Sequence, residues 1–82
     1  MMIRVYDGFY MNPKYVVYIG LVKSSENKVN VSFVNGRGDV YLFGSKDDAV
    51  NFIDRVVRAN NSLDIDKSTF EKLINTVKFL KL

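Results

Sequence analysis

Three groups of residues have types and spacings that could carry chemistry: the Arg37-Gly38-Asp39 triplet, the adjacent acids Asp47 and Asp48, and the acids Asp64 and Asp66. Arg-Gly-Asp is the tripeptide by which many extracellular ligands engage integrins. Here it follows Asn35-Gly36 and precedes a run of β-forming residues, so each of its members also has a local role in a hairpin. We therefore expect a turn at this position and not an adhesion site.

Both acid pairs favour a structural role over catalysis or metal binding. Asp47 and Asp48 fall in the first turn of a predicted helix, where neighbouring side chains diverge by about 100° and carboxylates suit the helix dipole. Residues 64–69 resemble the first half of a calcium loop. Thr69, however, stands where that loop needs glycine, and Asn75 stands where it needs a bidentate glutamate. We expect no catalytic residue, no metal site and no cofactor.

Composition limits the catalytic options further. The chain of 82 residues has no cysteine and no histidine, so the most reactive nucleophile and the commonest general base are both missing. Without thiols it forms no disulfide, the usual support of small secreted domains. The glycines match no phosphate-binding loop. These features predict a non-enzymatic protein that works inside a cell.

The N-terminal residues and the apolar runs bear on location. Residues 1–11 lack the basic region, apolar stretch and cleavage site of a signal peptide, and the longest apolar run elsewhere, residues 16–22, is too short to cross a bilayer. We expect a cytoplasmic protein without membrane contact. Twelve Lys and Arg against nine Asp and Glu give a net charge of +3, which permits an anionic partner without requiring one.

Hydrophobic periodicity changes halfway along the chain. It predicts one domain over residues 1–82, with strands near 2–6, 14–23, 28–34 and 39–43 followed by helices near 46–60 and 66–81. Ser45 is the predicted N-cap of the first helix, which Asn60 should end, and Asp66 is the predicted N-cap of the second. The economical arrangement is an α+β fold in which an antiparallel four-stranded N-terminal sheet carries both helices on one face, in two layers.

Alternation along the strands assigns side chains to the two faces of this sheet. An even-numbered loop at Asn35-Gly36 would direct an apolar set toward the helices: Ile3, Val5, Ile19, Leu21, Val29, Val31, Phe33, Val40 and Leu42. On the second helix the matching apolar stripe would be Phe70, Leu73, Ile74, Val77 and Leu80. The opposite face of the sheet would then carry an aromatic and basic set: Tyr18, Tyr41, Phe43, Tyr6, Arg4 and Lys28. We predict that these six residues form the binding surface.

Two classes of partner suit such a surface. Tyr, Phe and Arg are enriched at protein interfaces, which predicts a small binding or regulatory module that occupies a partner's surface. By analogy, modulators encoded by phages act in this way in their host cells. An open face or strand edge also predicts a homodimer. The alternative is an RNA or single-stranded nucleic-acid binder, because aromatic rings stack on bases while cations meet phosphates. Alternatively these residues have a structural role and bind no partner, because aromatic residues in strands are often half-exposed or because a helix covers this face.

Residues 7–13 contain a second candidate surface. Phe9, Tyr10 and Met11 lie beside a predicted turn at Asn12-Pro13, and three large apolar side chains are unusual in a solvated connection. They predict either a further contact surface or an extension of the first strand into the core.

Overall fold

The fold is α+β in a computed structural model that describes residues 2–77. Its elements, in chain order, are β1 (Ile3–Tyr6), β2 (Phe9–Met11), a 3₁₀ turn (Pro13–Tyr15), β3 (Val16–Val22), β4 (Ser25–Phe33), β5 (Gly38–Leu42), α1 (Lys46–Ala59), β6 (Asp64–Ile65) and α2 (Lys67–Val77). The sequence predicts both helices and the four longer strands close to these bounds. Residues 78–81 of the second predicted helix lie outside the described residues.

The first predicted strand does not join the main sheet, which corrects the predicted topology. β1 instead pairs antiparallel with β2, a strand that the sequence did not predict, in a separate two-stranded sheet. Gly8 lies in the turn between them with φ +76, a conformation that favours glycine. The predicted turn at Asn12-Pro13 then forms, since the Asn12 side-chain oxygen accepts a hydrogen bond of 3.0 Å from the Lys14 N–H.

The main sheet has four strands in the order β5-β4-β3-β6. β5, β4 and β3 are antiparallel neighbours, as predicted for these three segments. β6, however, pairs parallel with β3 after α1 has crossed the sheet, so the sheet is mixed and not purely antiparallel. The fourth strand therefore comes from between the helices and not from the N-terminus.

Val34 to Arg37 connect β4 to β5, but Phe33 still pairs with Arg37, so the tight loop between these paired residues has three residues, Val34 to Gly36, and not the predicted even number. Phe33 N–H donates to the Arg37 carbonyl at 2.8 Å, and Gly36 N–H donates to the Phe33 carbonyl at 3.0 Å. Gly36 has φ +88, so the loop is a tight turn closed by a glycine in the left-handed region. This odd number of residues reverses the predicted assignment of the β5 side chains to the two faces.

The reversed register buries a large aromatic residue of β5. Val29 lies opposite Tyr41 and Asn30 opposite Val40 in the β4–β5 register. Tyr41 is therefore buried on the side of the sheet that packs against α1, which we call the inner face, whereas Val40 and Leu42 are exposed on the outer face. A buried aromatic ring removes more apolar area from water than valine does, so this register gives the larger hydrophobic stabilisation.

The core lies between the inner face and α1. Its fully buried members include the strand residues Ile19, Val29 and Val31 and the helix residues Ala49, Phe52, Ile53 and Val56. These residues confirm the predicted inward direction of β3 and β4 and the predicted apolar stripe of α1. The Ser45 hydroxyl accepts from Asp48 N–H at 3.1 Å, which confirms the predicted N-cap.

Asn60 ends α1, as predicted, and also joins the helix to the start of β3. Its side-chain amide donates to the carbonyls of Pro13 at 2.9 Å and Val16 at 3.0 Å. This contact holds the C-terminal end of α1 beside the 3₁₀ turn, next to the N-terminal hairpin.

α2 begins at Lys67, and its first turn is held by two polar residues. The Asp66 carboxylate accepts from Thr69 N–H at 3.2 Å, which confirms the predicted N-cap. The buried Thr69 hydroxyl accepts from Leu21 N–H at 2.8 Å, so the helix binds the backbone of β3 directly. Leu73 is buried as predicted, but Phe70 and Ile74 are exposed. Among the described side chains of the predicted stripe, Leu73 alone therefore reaches the core, and the side chains of Val77 and Leu80 lie outside this description.

Candidate functional site

The six residues predicted to share one surface lie in three different places. Tyr41 and Phe43 belong to the inner side of the sheet, where Phe43 packs against Phe52 of α1 with ring centroids 5.0 Å apart. Tyr18 and Lys28 lie on the outer face, since their cross-strand partners are Ser32 and Leu42. Tyr6 and Arg4 lie on β1, outside the four-stranded sheet. The predicted common face is therefore wrong, because the three-residue loop turns β5 over.

Tyr18 covers the backbone of its own strand. A β-carbon added at Gly20 would lie 2.7 Å from the Tyr18 hydroxyl oxygen and 3.0 Å from the Asp66 β-carbon, so a larger residue there would require the Tyr18 ring to move. Burial first, and then the nearby Asp66 carboxylate, raises the pKa of the Tyr18 phenol. Lys28 is exposed among Asn30, Ser32, Val40 and Leu42. The outer face thus lacks the contiguous aromatic patch that base stacking would need.

Three of the four predicted aromatic residues, Tyr6, Tyr41 and Phe43, meet on the inner side of β5, where the N-terminal hairpin docks. Tyr6 lies 6.1 Å from Phe9, 6.1 Å from Tyr41 and 6.0 Å from Phe43, measured between ring centroids. Tyr41 also contacts Phe52 edge-on at 5.8 Å. The Tyr6 hydroxyl accepts from Leu42 N–H at 2.6 Å, so it occupies part of the free edge of β5. These contacts fix the position of the β1–β2 hairpin beside the main sheet.

A groove of about 470 Å³ opens between this hairpin and the loop that joins β4 and β5. We call it the inter-hairpin groove. Its floor and walls are formed by Met2, Phe9, Tyr10, Met11, Asn12, Tyr15, Phe33, Val34, Asn35, Arg37, Asp39 and Tyr41. Met11 and Tyr41 are buried at its base, whereas Phe9, Tyr10, Tyr15 and Val34 are exposed. The volume falls within the range of about 300–1,000 Å³ that is typical of ligand clefts.

β2 forms one wall of the groove. All three β2 residues line it, and so does Asn12, but no residue of β1 does. Successive side chains of a strand point to opposite faces, so a groove that touches three consecutive residues lies beside the strand and not over one face. β2 has β1 as its single partner in the two-stranded sheet, which leaves this edge without a strand neighbour among the described residues.

Charged groups lie at one end of the groove. The Asp39 carboxylate accepts from the Tyr41 hydroxyl at 3.3 Å. Burial first, and then Asp39, raises the pKa of Tyr41 to about 12, while the nearby Arg37 acts in the opposite direction. Arg37 is exposed, and its guanidinium makes no ion pair within residues 2–77, where the ion pairs are Arg4 with Asp7, Arg58 with Asp54, and Lys72 with Glu26.

The sequence predicts either a contact surface or a core extension at Phe9, Tyr10 and Met11. Met11 does enter the core, whereas Phe9 and Tyr10 are exposed, and their role as a contact surface stays a prediction. Tyr15 and Val34 were missed as groove residues. The signal for Val34 lay in the loop itself, because an exposed valine next to Asn35-Gly36 has no role in the turn.

The groove presents mainly apolar and aromatic side chains to solvent. In the part of the chain that the structure describes, no three acidic side chains converge where they could hold a metal ion. Across residues 2–77, no helix has the length and apolar composition needed to span a membrane. Comparison with protein families, with curated proteins and with solved structures found no match to this chain.

Proposed function

We propose that the protein is a small non-enzymatic binding module that acts by occupying the surface of a protein partner, with the inter-hairpin groove as its contact site. The observation that carries the proposal is the concentration of exposed large apolar side chains around one concave surface. Met2, Phe9, Tyr10, Tyr15 and Val34 are each between 43% and 68% exposed and all line the groove. Aromatic residues, Met and Arg are the types enriched at protein interfaces.

The charge of the groove favours a protein partner over a nucleic acid. Arg37 and Asp39 are its charged lining residues, so the groove offers a single cation. Nucleic-acid binding depends on several cations that neutralise phosphates, and the aromatic rings that would stack on bases need such cations nearby. The two cations predicted for that role do not join the groove: Arg4 is paired with Asp7, and Lys28 lies on the outer face of the sheet.

The fold and the contact residues are separable, which makes the proposal testable. Tyr10 and Tyr15 are 52% and 54% exposed, and neither takes part in the aromatic contacts that dock the hairpin. Their rings can therefore be removed at little cost to the core. Val40 and Leu42 on the outer face are 58% and 55% exposed and provide a control of similar exposure.

The test is affinity purification from nuclease-treated extract, followed by titration of the purified partner against three forms of the chain. The wild type and the Val40→Ala, Leu42→Ala control should bind alike. The Tyr10→Ala, Tyr15→Ala variant should keep its circular dichroism spectrum but bind about 30-fold more weakly, which corresponds to about 2 kcal/mol for loss of central aromatic contacts.

Two results would contradict the proposal. Equal binding by the groove variant and the wild type would place the contact elsewhere on the molecule. Binding that requires nucleic acid, and that falls about a thousandfold or more between 50 and 200 mM salt, would instead identify the nucleic-acid binder.

A further inference from the structure

We propose that the inter-hairpin groove binds an extended peptide segment of the partner, which adds to the outer edge of β2 as a third strand of the N-terminal sheet and places an acidic side chain against Arg37. This inference rests on the proposed function and specifies the form of the partner. It commits to a peptide in strand conformation because a strand edge, an apolar floor and an unpaired cation occur together in this one groove.

The edge of β2 supplies the backbone part of the site. A strand paired on one side presents unpaired N–H and C=O groups on the other, and an extended peptide can bind them as a neighbouring strand. The other edges among the described strands belong to β1, β5 and β6. No residue of β1 or β6 lines the groove, and at β5 the Tyr6 hydroxyl already takes the Leu42 N–H. All three β2 residues line the groove, whose volume is about 470 Å³, and a strand added there would pair at the usual spacing of about 4.8 Å.

The floor of the groove supplies side-chain selectivity. A peptide beside β2 would point alternate side chains toward the base, where Met11 and Tyr41 are buried and Phe33 is half-buried. These positions favour apolar residues, and the flexible Met11 side chain can adapt to different shapes. The intervening peptide side chains would point to water. The expected ligand therefore alternates between apolar and polar residues.

Arg37 sets the charge of the ligand. Its guanidinium lies at the end of the groove without an ion pair among residues 2–77, whereas the Asp39 carboxylate accepts a hydrogen bond from the Tyr41 hydroxyl. A guanidinium offers a planar fork of donors that matches a carboxylate. An acidic peptide residue, and not a basic one, complements this end of the groove.

The experiment uses a phage-displayed library of random twelve-residue peptides, selected against the immobilised full chain. Selected sequences are synthesised with blocked termini, and their contacts are mapped by NMR chemical-shift changes. Each peptide is then N-methylated at one backbone position at a time, which removes one N–H donor. If the peptide pairs as a strand, methylation at alternate positions should weaken binding about fivefold or more, with little effect at the positions between.

Charge variants test the acidic side chain. Arg37→Gln should weaken binding of an acidic peptide about threefold and reduce its dependence on salt, as expected for an exposed ion pair. Lys28→Gln is the matched control, since it removes an exposed cation from the outer face, and its affinity should equal that of the wild type.

The outcomes separate this inference from the proposed function. Shifts at residues 9–12 and 34–41 with no alternation in the N-methyl series would overturn the strand pairing and leave the groove as the contact site. Shifts confined to the outer face would overturn both proposals. Failure of every displayed peptide to bind the folded chain would reject the peptide ligand. Dimers in sedimentation that dissociate on Tyr10→Ala, Tyr15→Ala would identify the occupant as a second copy of the chain.

Discussion

Tyr6 offers the sharpest test of how the groove is built, because it links the N-terminal hairpin to the main sheet through both its ring and its hydroxyl. Its ring contacts those of Phe9, Tyr41 and Phe43, and its hydroxyl accepts from Leu42 N–H at 2.6 Å. Two substitutions separate these contributions. Tyr6→Phe removes the hydrogen bond alone, whereas Tyr6→Ala removes the hydrogen bond and the ring.

The two variants should differ clearly in the free energy of unfolding. Leu42 is exposed, so water can replace the lost acceptor, and Tyr6→Phe should cost about 0.5–1 kcal/mol. The ring makes three aromatic contacts worth about 0.5–1.5 kcal/mol each in addition to its buried area. Since Tyr6 is 40% exposed, these values belong at the lower end, and Tyr6→Ala should cost about 2–4 kcal/mol.

Urea denaturation measures these costs, and amide hydrogen exchange locates them. Tyr6→Ala should lower the melting temperature by roughly 10–20 °C for a domain of this size, with the fastest new exchange at residues 3–11. Tyr15→Ala is the control, since Tyr15 is exposed and should change stability by less than about 0.5 kcal/mol. A cost below about 0.5 kcal/mol for Tyr6→Ala would refute the argument that this ring docks the hairpin.

Two further predictions concern buried polar groups. Thr69→Val keeps the shape of the side chain but leaves Leu21 N–H without its acceptor, so it should lower the free energy of unfolding by about 1–3 kcal/mol in urea denaturation. Thr69→Ser keeps the hydroxyl and loses one methyl group, which should cost roughly 0.8 kcal/mol. A larger cost for serine than for valine would contradict the hydrogen bond. Because the pKa of Tyr41 is about 12 in the folded chain and about 10 when unfolded, its contribution to stability should be complete below about pH 10 and be lost as the pH rises to 12. A urea midpoint that falls between pH 9 and 11.5 in the wild type, but falls less in Tyr41→Phe, is the expected result, and an equal fall in both would assign the decline to other groups.

Local signals were sufficient to predict α1 and most of its surroundings. Its apolar residues recur at helical spacing, and the Ser45 cap and the Asn60 stop are both confirmed. The inward direction of Ile19, Val29 and Val31 also followed from alternation, because these strands are long enough to show it. In each case the interaction that decides the structure lies within a few residues of the sequence that signals it.

The predicted sheet topology and the predicted facing of the β5 side chains were wrong because a very short segment, or a contact distant in sequence, decides them. β6 has two residues, too few for a strand pattern, and it forms because the end of α1 and the start of α2 hold it against β3. The face of the sheet that each β5 side chain occupies depends on whether the loop has an even or an odd number of residues. The even loop would have buried Val40 and Leu42, but the contacts of Tyr41 and Phe43 with Phe52 favour the odd one. That comparison needs the position of α1 and could not be made from the hairpin alone.

The reversed register of β5 also lowers the binding energy that we expect for a homodimer through the open face of the sheet. Val40 and Leu42 are the large apolar residues of β5 on the outer face, and they are 58% and 55% exposed. Burying a whole side chain of this kind contributes about 1.5–3 kcal/mol. A symmetric dimer would bury the exposed halves of four of them, two from each copy, which contributes about 4 kcal/mol. Association itself costs an estimated 4–15 kcal/mol.

Because this gain does not exceed the cost of association, we expect no dimer through this face at or below millimolar concentration. Sedimentation at tens of micromolar, a range that covers ordinary weak dimers, should show the 9.4 kDa species. Leu42→Lys should abolish any dimer seen at higher concentration without changing peptide binding in the groove. A micromolar dimer that resists Leu42→Lys would mean that self-association uses another surface, and its loss on Tyr10→Ala, Tyr15→Ala would identify that surface as the groove.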